Sequence, residues 1–506
     1  MTKEKVECLV ETTSERRIKT TSRTGMYFLV LSLSIDSVSA YLIHKDTQCI
    51  RGTFTTFVKE LLELTSLNQD LDLVYAIRSC IHEVLSRNGL DSTDIKGISL
   101  VSKYPSFLIW ESDTGKPIFG PIDLQTEIPY EEFTWKTKSS IVKDIEAQSG
   151  TFYSPQFCLY HLRELKKTDP SFTKILEEKN CKFGSLDVWV LYQLTGLTSF
   201  KMDVSIASKT QLLTEETKQW DSLLLSEAGL TEAHVPEIVC EEDSLGLTKS
   251  FVPFDDGIPI VSMTSHEVAV HSAICKESFN SVYLDTTKDL RLSLFSSLAP
   301  QEQLPYFNKT YFAKAESIHY LMDTYLFSIH DFESVLKQLG VSLASLQRLT
   351  DPILPKPGFY VVPNNPHPPF PGLRISKKWS MIGIDETVDE RAILWALIQS
   401  IVYTLKQQLL KTEIVMNRRV SQLFVVGEWS TSEVVLQYLA DQLQMTITTI
   451  ETEHPHVLGS LSYRGNQAES EIKKTYLPLL DPLTSYSTFQ EWEKVMANLD
   501  ALFGDL

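Results

Sequence analysis

The stretch from Cys181 to Asp221 constrains the fold of this chain more than any other. Phe183-Gly184-Ser185 reads as turn chemistry, and Val188, Trp189, Leu191, Tyr192 and Leu194 then recur at helical spacing until Gly196 supplies a stop. An amphipathic helix of that kind needs a surface to lie on. Asp203-Val204-Ser205-Ile206-Ala207-Ser208 and then Trp220-Asp221 follow it.

The composition can supply that surface. With 506 residues, 43% of them hydrophobic, the chain exceeds what one core usually spans, so two domains are expected. A formal charge of −18 argues against nucleic acid and anionic membrane as partners, because both select a basic footprint. The cysteines Cys8, Cys49, Cys80, Cys158, Cys181, Cys240 and Cys275 form no CxxC pair, which fits a reducing compartment rather than a disulfide frame or a zinc site. Met26 to Ile35 is apolar and follows Arg16, Arg17, Lys19 and Arg23, as a signal peptide would. That run is short, has no small-residue cleavage site, and is preceded by Glu4, Glu7, Glu11 and Glu15. The expectation is a cytoplasmic protein with no membrane span and a disordered segment over 1–25.

Along the chain, Tyr27 to Ile35 and Ala40 to His44 read as strands joined by a polar turn at Asp36-Ser37-Val38-Ser39. Leu71 to Asn88 is helical by periodicity, closed by Gly89. Strands follow at Gly97 to Val101 and Phe107 to Trp110, the latter with Thr114 to Ile118 as a hairpin. Gly257 to Val261 is read as the strand that begins the second domain, and Ser281 to Phe295 as another hairpin. Asp351 to Gly372 is rich in proline, too stiff for helix and too poor in donors for a central strand, and His367 within it is no metal site by itself. Thr387-x-x-Glu390 predicts a capping box for a long buried helix over Ala392 to Leu410. The strand Val420 to Val426 runs into Gly427-Glu428-Trp429-Ser430-Thr431-Ser432 and a further helix. A tail helix is predicted after Ser487-x-x-Gln490, its stripe Phe489, Trp492, Val495, Met496, Leu499, Leu502 and Phe503 docking on the same chain.

Asp203 to Ser208 with Trp220-Asp221, the hairpin at Trp110, Ser154-Pro155-Gln156-Phe157, Ser265 to Ala269 and Leu458-Gly459-Ser460 together resemble the FGGY family of sugar and polyol kinases. Within it the chain looks most like the glycerol kinases, and a divergent animal branch of them in particular. The resemblance implies an α/β fold of two actin-like ATPase (ribonuclease H-like) domains around a cleft. It divides the chain at 26–253 and 254–465, with a tail over 466–506.

The resemblance also implies a set of site positions, and most of them are substituted. The first phosphate turn, approximately Asp-x-Gly-Thr-Thr-Ser-x-Arg in the family, falls on Leu33 to Ala40, with Asp36 and Ser37 but neither glycine nor arginine. The polyol-binding Arg-Glu pair becomes Tyr104 and Pro105, and the pocket tyrosine becomes Gln156. In Gly-Asp-Gln-x-Ala the aspartate is the general base. Here His266 takes its place and Glu267 follows. The second phosphate turn, Gly-Thr-Gly in the family, is Asp285-Thr286-Thr287, with Lys288 next. The nucleotide corner, Asp-Gly-Gly-Ala-x-x-Asn in the family, keeps Gly427, replaces the second glycine with Glu428, adds Trp429 and ends at Ser432.

Two functional readings follow. In one the chain is a glycerol kinase-like pseudoenzyme that needs no cofactor and is retained for binding a protein partner or a second copy of itself. In the other it is an ATP-dependent polyol kinase, using magnesium-ATP with His266 or Glu267 as base. A kinase for another substrate still requires the nucleotide site.

Overall fold

The structure is a computed structural model that describes residues 25–57, 69–102, 106–123, 140–178, 180–240, 243–274, 281–287, 289–298, 308–314, 317–328, 337, 352–363, 379–463 and 471–503. The expected disordered segment lies outside them, apart from Gly25, as do Tyr104, Pro105, Lys288 and His367.

Its first sheet is built on the apolar run Met26 to Ile35. The strand Tyr27–Leu33 pairs antiparallel with Ser37–His44, which pairs with Ile50–Phe57. On the other side of Tyr27–Leu33, Ile95–Ser102 and then Ile260–Ser265 add in parallel. Gly257 to Val261 leads into Ile260–Ser265, the strand at the edge of the first sheet. The first turn is also shorter than expected. Ser37, Val38 and Ser39 belong to the second strand, where the Ser39 and Thr55 hydroxyls pair at 2.8 Å, and only Ser34, Ile35 and Asp36 make the bend.

The second sheet repeats this topology. Ser317–Ser328, Asp289–Ser296 and Val282–Thr286 form an antiparallel meander, and Gln422–Gly427 and Thr446–Ile450 follow in parallel. One extra strand flanks each end, Asn308–Lys314 and Ile472–Tyr476. Two copies of one five-strand order are what two actin-like domains require.

Between the sheets runs the helix His266–Ile274. Its Ala269 packs with Phe28, Val30, Val101 and Leu458 on the first sheet's side, while Val268 and Val270 pack with Tyr283, Phe295 and Val426 of the second. The helix Pro455–Ser462 lies against it so closely that a Cβ on Gly459 would stand 1.7 Å from the Ala269 carbonyl oxygen. Outer layers complete the cores: Gln69–Arg87 covers the first sheet, and the long helix Glu390–Met416 and Glu433–Leu443 cover the second.

Phe183-Gly184-Ser185 is strand rather than turn, because Cys181–Ser185 pairs with Ser106–Glu111. Gly184 is needed there for packing, since a Cβ would come within 2.9 Å of the Trp110 ring. The helix that follows, Leu186–Leu194, is buried on nearly every side rather than amphipathic, and Trp189 Nε1 donates to the Gly115 carbonyl at 2.9 Å. Asp389, not Thr387, caps the long helix, accepting from Ala392 N at 2.8 Å, while the Thr387 hydroxyl donates to Asp385. The tail helix Pro482–Phe503 starts earlier than predicted, with Asp481 accepting from Thr484 N at 3.0 Å. Phe489, Trp492 and Met496 are buried against Tyr403 and Val362 of the same chain, as expected. Tyr360–Pro363 forms a two-stranded ribbon with Trp379–Ile382, which suits a proline-rich edge.

Candidate functional site

The parallel strands of each sheet end together: Leu33, Ser102 and Ser265 are register partners in the first, Thr286 and Gly427 in the second. Residues that follow such strand ends collect in one crevice, the usual place for ligands in α/β sheets. His266, Asp36, Thr287 and Glu428 are each at or just beyond one of these ends.

His266 and Glu267 begin the helix that follows Ser265. His266 Nε2 and Asp285 Oδ2 are 3.0 Å apart, and the His456 ring stands 4.8 Å away, centroid to centroid. Its Nδ1 is buried with no hydrogen-bond partner among the described residues. Glu267 is held by Lys209, whose Nζ donates to Oε2 at 2.5 Å, with both side chains buried. Burial pushes the Glu267 carboxyl up, but the charges of Lys209, His266 and Arg291 outweigh it and hold it below the usual range. A carboxylate held in an ion pair is a poor general base.

Asp285 is likewise committed. Its Oδ1 accepts from Thr287 N at 2.9 Å while Oδ2 faces His266. Burial raises its pKa, and the hydrogen bonds and charge of His266, with the hydrogen bonds of Thr287, bring it below the ordinary value. Asp285 and Thr286 are strand residues, and the hairpin turn proper starts at Thr287.

The same closure recurs at the other two turns. In the first hairpin Ser37 N donates to Ser34 Oγ at 3.1 Å. At the corner after Gly427, Trp429 N donates to Thr286 Oγ1 at 3.0 Å, and that hydroxyl donates onward to the Val426 carbonyl at 2.7 Å. Gly427 has φ +87°, and a Cβ there would lie 2.5 Å from Thr287 N, so hairpin turn and corner meet backbone to backbone. Trp429 does not project toward a ligand. Its ring is buried in the second core, and Glu428 is the exposed residue of the pair. Ser432 caps the helix Glu433–Leu443, and Gln156 is half-buried, its backbone N donating to the Ser154 hydroxyl oxygen at 3.2 Å.

Several groups in the crevice were missed by sequence reasoning. Lys209, Arg291 and Asp323 add two positive charges and one negative charge beside Glu267, and burial, opposed by Lys209, pushes Asp323 up to about 6. Asp203 caps the turn Val204–Ala207 and accepts from the Tyr463 hydroxyl at 3.2 Å. Asp187 is fully buried, and burial raises it to about 6 against the lowering effect of Ser185. The pattern His454-Pro455-His456 was available in the sequence as a signal. Two imidazoles straddling a helix start meet Tyr41 at 5.0 and 6.0 Å. No group of three or more His, Cys, Asp or Glu among the described residues is arranged to hold a metal ion. Among those residues Cys49, Cys80, Cys158, Cys181 and Cys240 are in no disulfide, and no helix is long and apolar enough to cross a membrane.

Comparison with known proteins places this geometry. Residues 28–274 match the N-terminal domain of the FGGY family of carbohydrate kinases, and residues 303–463 match its C-terminal domain. Glycerol kinase from Bdellovibrio bacteriovorus is 27% identical over 211 residues, 42% of this chain and 43% of that protein, so that match spans less than half the relative's length. Glycerol kinase from Pasteurella multocida is 21% identical over 493 residues, 93% of this chain and 97% of that protein. Plasmodium falciparum glycerol kinase, solved with ADP, shares the fold with a TM-score of 0.77 at 17% identity, covering 94% of this chain and 98% of that one. The N-terminal match ends at residue 274, after the helix that follows Ser265, in keeping with the strand order. By sequence over both halves and by fold over nearly its whole length, the chain belongs to the FGGY family of carbohydrate kinases.

Proposed function

We propose that this chain is a glycerol kinase-like protein that has given up phosphotransfer and keeps its two-domain shell for binding or scaffolding. One observation carries the reading: at all three turns where the family meets phosphate, a backbone amide is already bonded to an oxygen of the chain itself. An amide engaged in this way reaches a phosphate only by breaking an existing hydrogen bond, which leaves a buried acceptor to be satisfied elsewhere. The residues present therefore do not fit magnesium-ATP as the family's turns hold it, and no transfer step is derived through it. Substitution of the base has the same sense, since losing a general base costs about 10²- to 10⁴-fold.

Binding decides this reading before turnover does. A nucleotide at 100 times its Kd would add about 2.7 kcal/mol of stability. Full-length protein melted with magnesium-ATP and glycerol is expected to show no such shift.

A second reading, an active polyol kinase, is favoured by a different observation. An imidazole tied to a carboxylate through Nε2, with Nδ1 unpartnered, is how a histidine base is oriented. Coupled ADP release that disappears in His266→Ala would establish it. Rates at the blank level in both proteins support the first reading.

A further inference from the structure

Asp285, near the end of the strand Val282–Thr286, stands where the family resemblance implies glycine, so the resemblance puts a carboxylate in place of bare backbone. A carboxylate oxygen and a phosphate oxygen present the same acceptor to a backbone N–H. Here one oxygen of Asp285 sits on Thr287 N at 2.9 Å. A local Asx turn accounts for that contact by itself. It does not account for the second oxygen, which is 3.0 Å from His266 on a helix that follows the first sheet, nor for the burial of the residue, 7% exposed. Immediately next to it, Thr286 Oγ1 takes Trp429 N, and Gly427 closes on the Thr286–Thr287 backbone.

We infer that Asp285 is an internal plug: its carboxylate occupies an oxyanion site on the second hairpin turn, is clasped there by His266, and excludes phosphate-type anions from that turn. The inference rests on the proposed loss of nucleotide binding and adds a cause at the second hairpin, an acidic side chain rather than a dismantled backbone. The strand end, the turn amide and the Gly427 approach are all in place behind the carboxylate, so removing it should expose the site.

The test uses the full-length chain, with sodium tripolyphosphate and, separately, magnesium-ADP titrated calorimetrically into wild type, Asp285→Gly, Asp285→Asn and His266→Asn. Circular dichroism and a cooperative melt establish that each variant is folded. The expected result is no measurable binding by wild type and at least a tenfold stronger association with Asp285→Gly. Asp285→Asn should gain less, because its amide still fills the space. His266→Asn should gain least, because the plug is freed but present. A folded Asp285→Gly that binds tripolyphosphate and magnesium-ADP no better than wild type overturns the plug. Should that variant not fold, Asp285→Asn decides in its place: a folded Asp285→Asn with no gain over wild type overturns the inference. Tight binding of magnesium-ADP by wild type would instead count against the proposed function, and the ratio of Asp285→Gly to wild type would still decide the plug.

Discussion

The two repeats end their opening hairpins at equivalent places and close them in different ways. In the first, Ser37 N is satisfied by the hydroxyl of Ser34, three residues away and uncharged. In the second, Thr287 N is satisfied by Asp285, whose other oxygen reaches His266 on the helix between the sheets. A neutral local cap leaves the two halves independent of each other. A charged cap that bridges them joins turn closure to domain contact, and the ion pair Lys209–Glu267 lies alongside. The proposed loss of phosphate chemistry is thus uneven: in the first repeat a weak bond stands in the way, in the second a buried charge network.

The largest expected effect tests that network. Lys209→Met strands the Glu267 carboxylate in a buried site, and breaking a buried pair from one side typically costs about 3–5 kcal/mol. Scanning calorimetry should show a clear fall in melting temperature, partly rescued by the double change Lys209→Met with Glu267→Gln. A fall of the same size in both proteins would mean that packing, not charge, is what Lys209 supplies.

Next in size is the contrast between the two caps. Asp285→Ala removes two hydrogen bonds, one of them to an imidazole, and should lower stability by about 2 kcal/mol, whereas Ser34→Ala should cost about 1 kcal/mol or less. Equal losses would erase the asymmetry between the repeats.

How much of this was legible beforehand follows the range of each interaction. The strand at Tyr27 was visible as a short continuous apolar run, and the helix over Gln69–Arg87 because a period of 3.6 is written locally. Ser37 to Ser39 looked like a turn because small polar residues favour turns, and pairing with Tyr27–Leu33 and Ile50–Phe57 draws them into the sheet. Gly184 looked like a turn for a similar reason, although the Trp110 ring is what requires it. Thr387 and Asp389 are both competent caps, and the choice between them depends on Asp385 taking the threonine hydroxyl. His266 and Asp285 were each visible as substitutions, yet their meeting across 19 residues and two sheets is a fact of three dimensions. The partner of Lys209 was invisible on the same ground, being 58 residues away.

The smallest expected effect lies in the first repeat and depends on pH. Asp187, raised to about 6, binds its proton more tightly folded than unfolded, so its contribution to stability grows as pH falls from 7 toward 4. Asp285 and Glu267, both lowered, act in the opposite sense, and their contribution is lost at more acidic pH, as each takes up its proton. Asp187→Asn mimics the protonated acid. It should raise the melting temperature at pH 7 by about 2–4 °C, and the difference from wild type should vanish near pH 4. A pH-independent difference would show that the Asp187 carboxyl does not titrate in this range.

The central claim is that the chain's own oxygens have replaced phosphate at these turns, and an equilibrium titration of labelled ATP with magnesium against the purified full-length protein tests it most directly. The account predicts no saturable binding up to millimolar nucleotide. Saturable binding that protects the amides of Ser37, Thr287 and Trp429 from hydrogen exchange would contradict it.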